Sequence, residues 1–439
     1  MSPRTHHLPE HPAADRPRSV ETAGIESVAD DHRHGTASEL FWVWLGANIG
    51  IVGIIYGAVL TTLGLNLWQG AAAAVVGTVL SFVLVGVLGV AGKWGGAPML
   101  GLSRMPFGRK GNLAPELVSW ISLLGWETLT AVIAAYAVHA LLATAWHVPP
   151  TKAWMLVSLL GVAMAALLLG RLGHATIGSV QRFVTWTFGL LTLAVLPWLV
   201  MSTHWSAVLA VHPGSWLAVV GGVGIVAAST GISWANLGAD YSRYLPRRER
   251  GAAIVGWTTL GSVVPLTLLI IVQGDFFGFL VSFVQLLACG IATWAAVFIV
   301  DMTMRRGYGG ACLESSGLVP TSHPADLAAD RGVRLPALVA WLAGTVVGLL
   351  FTASPLFTGP LVFGIFAQSS LGYLLGFTVS AALYAVLGRD LLLQHVVAQP
   401  VVATRHDEAV NVVRYPPGPP PLRFYGTANS LPGGLWPPR

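Results

Sequence analysis

Long apolar runs separated by short polar connections dominate the chain between residues 40 and 388. Residues 40–92 carry no charged side chain, and neither do residues 335–388. A helix needs about 20 consecutive apolar residues to cross a bilayer, whereas a membrane β-barrel shows short alternating segments. The pattern therefore predicts an all-α polytopic membrane protein with about ten spans: 40–60, 70–92, 115–143, 153–170, 175–202, 215–238, 251–273, 276–300, 335–353 and 361–388.

Composition and charge agree with a membrane protein and argue against a nucleic-acid partner. Hydrophobic residues make up 54% of the chain and charged residues only 10%, where soluble domains carry about 25% charged residues. Of the 24 Lys and Arg residues, all but Lys152 lie in the two tails or in alternate connections. This alternation is the positive-inside pattern. It predicts an integral protein of the plasma (inner) membrane with both termini in the cytoplasm.

The apolar region lies between two polar tails. Residues 1–39 are rich in His, Pro, Arg and Asp and predict a disordered cytoplasmic tail. Residues 40–388 are predicted to form one transmembrane domain, and residues 389–439 a Pro-rich cytoplasmic tail. Cys289 and Cys312 give neither a disulfide framework nor the spacing of a metal site. We therefore expect no bound cofactor.

Two spans contain glycines and polar residues that predict interrupted helices. The first reads WLGANIGIVGIIYGAV at 44–59, and the sixth reads GGVGIVAASTGISWANLGADYSRYLP at 221–246. Close helix packing through small residues would explain either span alone. Interruptions at corresponding positions of two halves instead point to the binding site of a secondary transporter, where the ends of half-helices offer backbone groups to a substrate and a cation.

A lone carboxylate, Glu127, stands inside the third apolar run between Trp126 and Thr128. Trp126 and Thr130 are four residues apart and so share a helix face. In the sixth span Trp234 has polar neighbours, so two indoles on different helices could sandwich a flat ring. The chain has 17 tryptophans, and packing or a membrane-interface belt explains most of them. The candidate substrate-binding residues are Asn48, Trp126, Glu127, Thr130, Ser233, Trp234 and Asn236.

Intramembrane acids are functional by default. We expect Glu127 to be protonated at rest or paired with a polar partner, and to carry a coupled proton. The alternative is a structural hydrogen bond to a neighbouring helix.

Four stretches of the chain carry a family resemblance: ANIGIVGIIYGAVLTTLGL at 47–65, GGAPMLGLSRMPFGRKGN at 95–112, GWETLT at 125–130 and SWANLGADYSRYLP at 233–246. On these stretches the chain resembles the nucleobase–cation symporter family, the purine–cytosine permeases with their hydantoin and allantoin relatives. The resemblance covers roughly residues 40–388.

The resemblance implies two inverted five-helix repeats followed by two further helices, in a protein that imports flat nitrogen heterocycles with H⁺ or Na⁺. The family's two stacking tryptophans fall on Trp126 and Trp234. The Asn or Gln that the family has four residues after the first falls on Thr130, which is a departure. Asp240 and Arg243 then belong to a gating or structural cluster with Tyr244.

The resemblance also predicts that two helices are missing. The run 276–300 ends in Asp301, Arg305, Arg306 and Tyr308, and it looks like the family's tenth helix, placed directly after the seventh. The rival interpretation makes this run the eighth helix, with later ones lost.

A missing eighth helix would remove hydroxyl and carbonyl ligands of the coupling cation. The candidate cation site at Gly46, Ala47 and Gly50 would then have ligands from one side only. The prediction is a protein that transports weakly or not at all unless a second copy completes it.

The sequence thus favours a secondary transporter that imports a nucleobase or related flat heterocycle with H⁺ or Na⁺. The alternative is a transport-incompetent membrane relative that only binds. An enzyme is disfavoured, because the chain has no HExxH or GxSxG motif. The expected partners are a small heterocyclic molecule and the lipid bilayer, with no nucleic acid. The particular heterocycle, the cation and the oligomeric state stay open.

Overall fold

The chain folds almost entirely into helices. The structure is a computed structural model that describes residues 24–49, 52–171, 173–270, 278–308, 332–354, 357–367 and 371–389. Nearly all of the predicted C-terminal tail, from residue 390 onward, lies outside the described residues.

The helices follow the predicted apolar runs. In chain order they are α1 (Glu39–Asn48), α2 (Val52–Thr62), α3 (Leu67–Gly95), α4 (Met99–Leu102), α5 (Arg104–Phe107), α6 (Leu113–Trp146), α7 (Lys152–Arg171), α8 (Gly173–Ser202), α9 (Trp205–Leu209), α10 (Trp216–Ala227), α11 (Gly251–Ile270), α12 (Gly278–Met304), α13 (Leu335–Leu350) and α14 (Gly372–Leu387). Two strands, β1 (Ala353–Ser354) and β2 (Phe357–Thr358), form a short antiparallel pair between α13 and α14.

Each of the ten predicted spans contains a helix of the structure. Within the described residues, five helical stretches are long and apolar enough to cross a membrane: Leu67–Gly95, Leu113–Trp146, Lys152–Arg171, Trp216–Leu237 and Gln285–Met304. Three shorter apolar helices cover Gly251–Leu266, Leu335–Leu350 and Gly372–Leu387. The last predicted span, 361–388, is helical mainly from residue 372 onward.

Both predicted interruptions occur. α1 ends at Asn48 and α2 begins at Val52, where the glycine-rich sequence offers little helix propensity. α10 passes into a π-helix over Ala228–Ile232 and then into a 3₁₀-helix over Ala235–Leu237. Such single π-helical turns inside α-helices are frequent at functional sites.

Helix α3 joins the two parts of the core. Its residues Phe82 and Val85 belong to a buried cluster with α1, α2, α10 and α11. One turn further on, Leu88 and Ala91 belong to a second cluster with α12, α13 and α14. In the most apolar window of α3, 56% of the residues are buried. Glycine permits the closest approach: a Cβ on Gly86 would lie 2.7 Å from the Cα of Val255 in α11.

By contrast, α6 and α7 lie at the periphery. In the most apolar window of each, only 6% of the residues are buried, against 72% in the window of α12. α7 packs mainly against α6, and α6 contacts α12 less extensively. Most of their apolar surface therefore faces away from the protein.

Part of the predicted disordered tail is ordered. Residues 24–38, which we call the N-terminal strap, contain a 3₁₀-helix over Asp30–His32 and lie across the C-terminal end of α3. The backbone N of Val28 donates to Gly96 O at 2.8 Å, and Ser27 Oγ donates to Gly95 O at 2.6 Å. The polar residues that predict disorder are thus satisfied by the protein itself. Residues 1–23 lie outside the described residues.

The strap also contacts the connection between α10 and α11. The backbone N of His34 donates to Tyr244 O at 2.8 Å, and that of Ala37 donates to Glu249 Oε2 at 3.1 Å. An ion pair of 2.9 Å joins Arg247 Nε to Asp30 Oδ1. Because the strap leads directly into α1, it links the start of α1 to the end of α3 and to the connection that precedes α11.

Arg33 anchors the strap. Its guanidinium donates to Val28 O at 3.1 Å and to Lys93 O, and lies 3.2 Å from Asp30 Oδ1. Burial lowers the pKa of Arg33 to about 10, with Asp30 opposing the shift, so that it remains charged at neutral pH. Gly96 permits the contact, since its φ is +65° and a Cβ there would lie 2.3 Å from Arg33 Nη2.

A second polar cluster holds the end of α12 against α14. Asp301 is fully buried and accepts from Arg305 Nε at 2.7 Å and from Tyr308 Oη at 3.1 Å. Tyr384 Oη on α14 donates to its other oxygen at 2.6 Å. The carboxylate is therefore paired and hydrogen-bonded, as a buried charge requires. The end motif of the 276–300 run is thus a structural link between helices.

Candidate functional site

The buried face of α6 carries the first predicted indole. Pro115, Ser119 and Ser122 are buried at spacings of four and three residues, and Trp126 follows four residues later and is half-buried. With 100° per residue, these four positions lie within one narrow stripe of the helix. Trp126 therefore faces the interior on the same side of α6 as the hydroxyls of Ser119 and Ser122.

The irregular segment after α10 supplies the second indole. Trp234 is half-buried, and its ring meets that of Trp44 edge to face at a centroid distance of 5.7 Å. Trp44 is 1% exposed and also meets Phe82 edge to face at 5.6 Å. Trp126 and Trp234 pack against this same buried cluster. The structure thus brings both predicted indoles to one region, between α1, α3, α6 and the segment after α10.

Two of the predicted polar residues of the sixth span lie inside the protein. Asn236 is 1% exposed, and its Nδ2 donates to Ser119 Oγ at 2.5 Å. Ser233 is buried and donates to Ser229 O at 3.2 Å and to Thr230 O at 2.7 Å. Ser233 therefore stabilises the π-helical turn, whereas Asn236 connects that segment to α6.

Three buried polar atoms near these residues lack a hydrogen-bond partner among the described residues. They are Asn236 Oδ1, Ser122 Oγ and Ser229 Oγ. If O and N of the Asn236 amide were exchanged, the nitrogen would be the atom without a hydrogen-bond partner instead of the oxygen. Unpaired buried polar atoms are rare and costly, so these atoms are candidates to meet a ligand or water. The sequence reasoning missed Ser119 and Ser122, although their spacing back from Trp126 places them on its face.

The structure has one small cavity at these residues and a larger one elsewhere. A small one of about 10 Å³ is lined by Ser119, Asn236, Gly290 and Trp294, among others, and has room for at most one water molecule. A larger one of about 370 Å³ lies between the end of α2, the start of α3 and α9. The larger cavity is in the size range of ligand pockets, but its walls are mainly small and aliphatic.

Glu127 and Thr130 lie outside the packed stripe of α6. Both side chains are exposed. Thr130 Oγ1 donates to Trp126 O at 2.8 Å and to Glu127 O at 3.1 Å, within its own helix. One residue of rotation carries Glu127 about 100° away from Trp126, to a side of α6 that has few neighbours. Its role as a protonated or paired intramembrane acid stays a prediction. Thr130 shares the general direction of Trp126 but lies beyond the packed stripe.

The candidate cation site is only partly described. Gly46 contacts α8, where a Cβ would lie 2.4 Å from Thr185 Oγ1, and Ala47 is half-buried. Asn48 is buried, but its Nδ2 donates to Trp44 O at 2.8 Å and to Ser262 Oγ at 3.2 Å. Asn48 therefore holds α1 against α11 through this nitrogen.

Gly50 lies outside the described residues. Among the described residues, no group of three or more His, Cys, Asp and Glu side chains could hold a metal ion.

Asp240, at the end of the sixth span, contacts the connection that follows α3. Asp240 Oδ1 accepts from the backbone N of Met99 at 2.7 Å. Burial raises the pKa of Asp240 to about 6, while the Met99 hydrogen bond and Arg243 oppose the shift. Arg243 Nη2 donates to Tyr244 Oη at 2.5 Å, and its Nη1 donates to Gly24 O of the strap at 3.0 Å.

The connection after α3 links this cluster to α12. Ser103 is fully buried and accepts from Trp294 Nε1 at 2.7 Å. Asn112 Nδ2 donates to Leu100 O at 2.8 Å, which holds the connection against the start of α6. The stretch 95–112 carries much of the family resemblance. It is therefore a structural element that connects the Asp240 cluster to α12 and to the start of α6.

The comparison with solved structures identifies the fold. The structure of Mhp1, a nucleobase-cation-symport-1 family transporter, in a closed conformation with bromovinylhydantoin bound, matches with a TM-score of 0.66 and 15% identity. The match covers 84% of this chain and 95% of that chain. The inward-facing conformation of Mhp1 matches with a TM-score of 0.55, also at 15% identity, over 87% of this chain and 96% of that one. The predicted transporter fold is thus confirmed.

Sequence comparison identifies the family. The putative purine-cytosine permease YxlA of Bacillus subtilis (strain 168) is 29% identical over 252 residues, which is 56% of this chain and 51% of that protein. The match thus spans about half the length of that relative. The family described as "Permease for cytosine/purines, uracil, thiamine, allantoin" matches residues 27–278, more than half of the chain. The two indoles and the interrupted helices around them therefore lie in an integral membrane protein that belongs to this permease family.

Proposed function

We propose that this protein binds a flat nitrogen heterocycle, of the nucleobase or hydantoin kind, between the rings of Trp126 and Trp234, and imports it with H⁺ or Na⁺. The observation that carries the proposal is that both half-buried indoles pack against one buried cluster beside two interrupted helices. Aromatic faces bind flat rings with little dependence on the ring's substituents.

The unpaired polar atoms supply the second requirement of such a site. A heterocycle carries ring N–H and C=O groups, which need partners once water is removed. Ser122 Oγ and Ser229 Oγ can donate or accept, and the Asn236 amide can do both with its two ends. These groups replace Thr130 and Glu127 in the proposed site, since the latter two are exposed. The bromovinylhydantoin bound to Mhp1 is a ligand of the same chemical class.

Reduced transport is the second candidate function, and the arrangement of α11 and α12 favours it. Only seven residues separate Ile270 from Gly278, and two helices joined so closely commonly pack as an antiparallel pair. Here α11 packs mainly against α3 and α1, whereas α12 packs mainly against α14 and α13. This supports the prediction that a pair of helices is missing between them, and that the alternating movement of two repeats is impaired.

Binding of labelled cytosine, adenine and hydantoin to the purified protein in detergent tests the site. We expect Trp126→Ala to weaken binding about 5- to 150-fold, because loss of one stacking face costs about 1–3 kcal/mol. Trp146→Ala is the matched control, since Trp146 ends the same helix and is 71% exposed. Equal affinity of the two variants, or no binding of any of these rings by the wild type, would remove the proposed site.

Uptake into liposomes tests transport separately from binding. Purified protein is reconstituted, and uptake of the bound heterocycle is followed under a pH gradient, a Na⁺ gradient or neither. Uptake that depends on one gradient supports the symporter and identifies the cation. Intact binding with negligible uptake under every gradient supports the transport-incompetent alternative.

A further inference from the structure

The two interrupted spans contact each other at two points, one on each side of the break in the first span. α1 ends at Asn48 and α2 begins at Val52. Trp44 lies four residues before the end of α1, and Tyr56 lies four residues after the start of α2. Both side chains are buried, with exposed fractions of 1% and 2%. Each of them contacts the irregular segment that follows α10.

Trp44 supports the ring of Trp234. The two rings meet edge to face, with an interplanar angle of 88° and a centroid distance of 5.7 Å. Trp44 also meets Phe82 at 5.6 Å and Tyr241 at 5.7 Å, both edge to face, which is a favourable geometry for aromatic pairs. Because Trp44 is packed among three rings, it gives Trp234 a neighbour that has little room to turn.

Tyr56 supports the π-helical turn over Ala228–Ile232. Its Oη donates to Ser229 O at 2.8 Å, and Ser233 Oγ donates to the same oxygen at 3.2 Å. In a membrane, backbone groups released from a regular helix must find partners on side chains or neighbouring helices. Tyr56 provides such a partner from α2, and so it fixes the turn that carries Ser229 and leads, two residues further on, to Trp234.

We propose that Trp44 and Tyr56 are positioning residues, which fix Trp234 and Ser229 relative to the two halves of the first span. This role rests on the proposed function for the identity of the heterocycle site, and neither residue needs to contact the heterocycle itself. Since α1 holds the segment at Trp234 and α2 holds it at Ser229, a change in the angle between α1 and α2 moves the second indole. A rearrangement at the break in the first span is thereby transmitted to the affinity for the heterocycle.

Two tyrosines on the sixth span's neighbours provide a matched test. Tyr373 is 1% exposed, and its Oη donates to Gly224 O at 3.0 Å, in the regular part of the same span. We expect Tyr56→Phe to weaken binding of the labelled heterocycle about three- to fivefold, most of the effect of one lost hydrogen bond. Tyr373→Phe should lose similar stability in denaturant-induced unfolding but keep the wild-type dissociation constant. Equal dissociation constants of the two variants would overturn the role of Tyr56.

Fluorine NMR of protein labelled with 5-fluorotryptophan tests Trp44 without any heterocycle. The Trp234 signal is assigned by its loss in Trp234→Phe. We expect one narrow Trp234 signal in the wild type and in Trp44→Phe, which keeps an aromatic partner, and a split or broadened signal in Trp44→Ala. Phe298→Ala is the control, because Phe298 is 0% exposed and meets Tyr308 edge to face at 5.5 Å in the other buried cluster.

The NMR signal also separates this role from the proposed function. A single narrow Trp234 signal in Trp44→Ala, or the same change in Phe298→Ala, would show that Trp44 does not position the ring. If the signal responds as expected but no heterocycle binds, the positioning role stands and the proposed function fails. The same signal then tests Tyr56, since a change in Tyr56→Phe but not in Tyr373→Phe supports its role and equal signals overturn it.

Discussion

At the scale of single residues, the rotation of α6 decides which polar groups serve the proposed site. Ser122 is 1% exposed with an unpaired hydroxyl, whereas Thr130 is exposed and its hydroxyl is bonded within its own helix. We expect Ser122→Ala to weaken heterocycle binding about fivefold, the effect of one lost hydrogen bond of about 1 kcal/mol. Thr130→Val should leave the dissociation constant unchanged.

Equilibrium binding of the two variants, measured side by side with the same labelled ring, checks this assignment. A larger loss for Thr130→Val than for Ser122→Ala would restore the interpretation taken from the family resemblance, in which position 130 contacts the substrate. The sequence alone could not separate these two positions, because both lie four residues from Trp126 and differ only in direction along the helix.

At the scale of elements, one buried cation, Arg33, holds the N-terminal strap against the end of α3. The Arg33 side chain is 1% exposed and donates to two backbone oxygens. We expect Arg33→Ala to lower the free energy of unfolding by about 2 kcal/mol, since hydrogen bonds of a charged donor are lost and their acceptors stay buried. Arg247→Ala should cost less than about 1 kcal/mol, because Arg247 is 43% exposed in a surface ion pair.

Denaturant-induced unfolding of the purified variants in one detergent gives both values. If the two arginine variants lose the same stability, the strap is held no more firmly at Arg33 than at its surface ion pair. The strap would then be a loose covering of the helix ends and not a structural element.

At the scale of the whole molecule, we expect Asp240 to make the free energy of unfolding depend on pH. Its pKa lies at about 6, raised by burial from an ordinary value of 3.8. The folded state then binds the proton more tightly than the unfolded state does. The stabilisation by this proton is complete below pH 3.8 and is lost as the pH rises through about 6.

We expect Asp240→Asn to remove this part of the pH dependence while retaining an oxygen that accepts from Met99. The melting temperature of the wild type minus that of the variant should therefore fall between pH 4 and pH 7. Asp31→Asn, at a side chain that is 77% exposed, is the control and should show no such trend. A constant difference between wild type and Asp240→Asn across this range would show that Asp240 does not titrate there.

The sequence by itself determined the class of protein, the position of its helices and the two interruptions. These properties depend on local features: the length of apolar runs, the glycines of the first and sixth spans, and polar caps. The Asn66 side chain, for instance, accepts from Gln69 N at 2.9 Å and starts α3 where the apolar run begins. The family stretches are equally local, and they correctly identified the transporter fold.

Only the tertiary structure decided which way each helix faces and what covers it. Glu127 and Trp126 are neighbours in sequence, yet one is exposed and the other packs on the core, because α6 has partners on one side only. The composition of residues 24–38 predicts a disordered tail. In the structure these residues donate hydrogen bonds to Gly95, Gly96 and Tyr244, which are distant in the chain. Such contacts join residues that are far apart in sequence, and a local sequence pattern therefore cannot predict them.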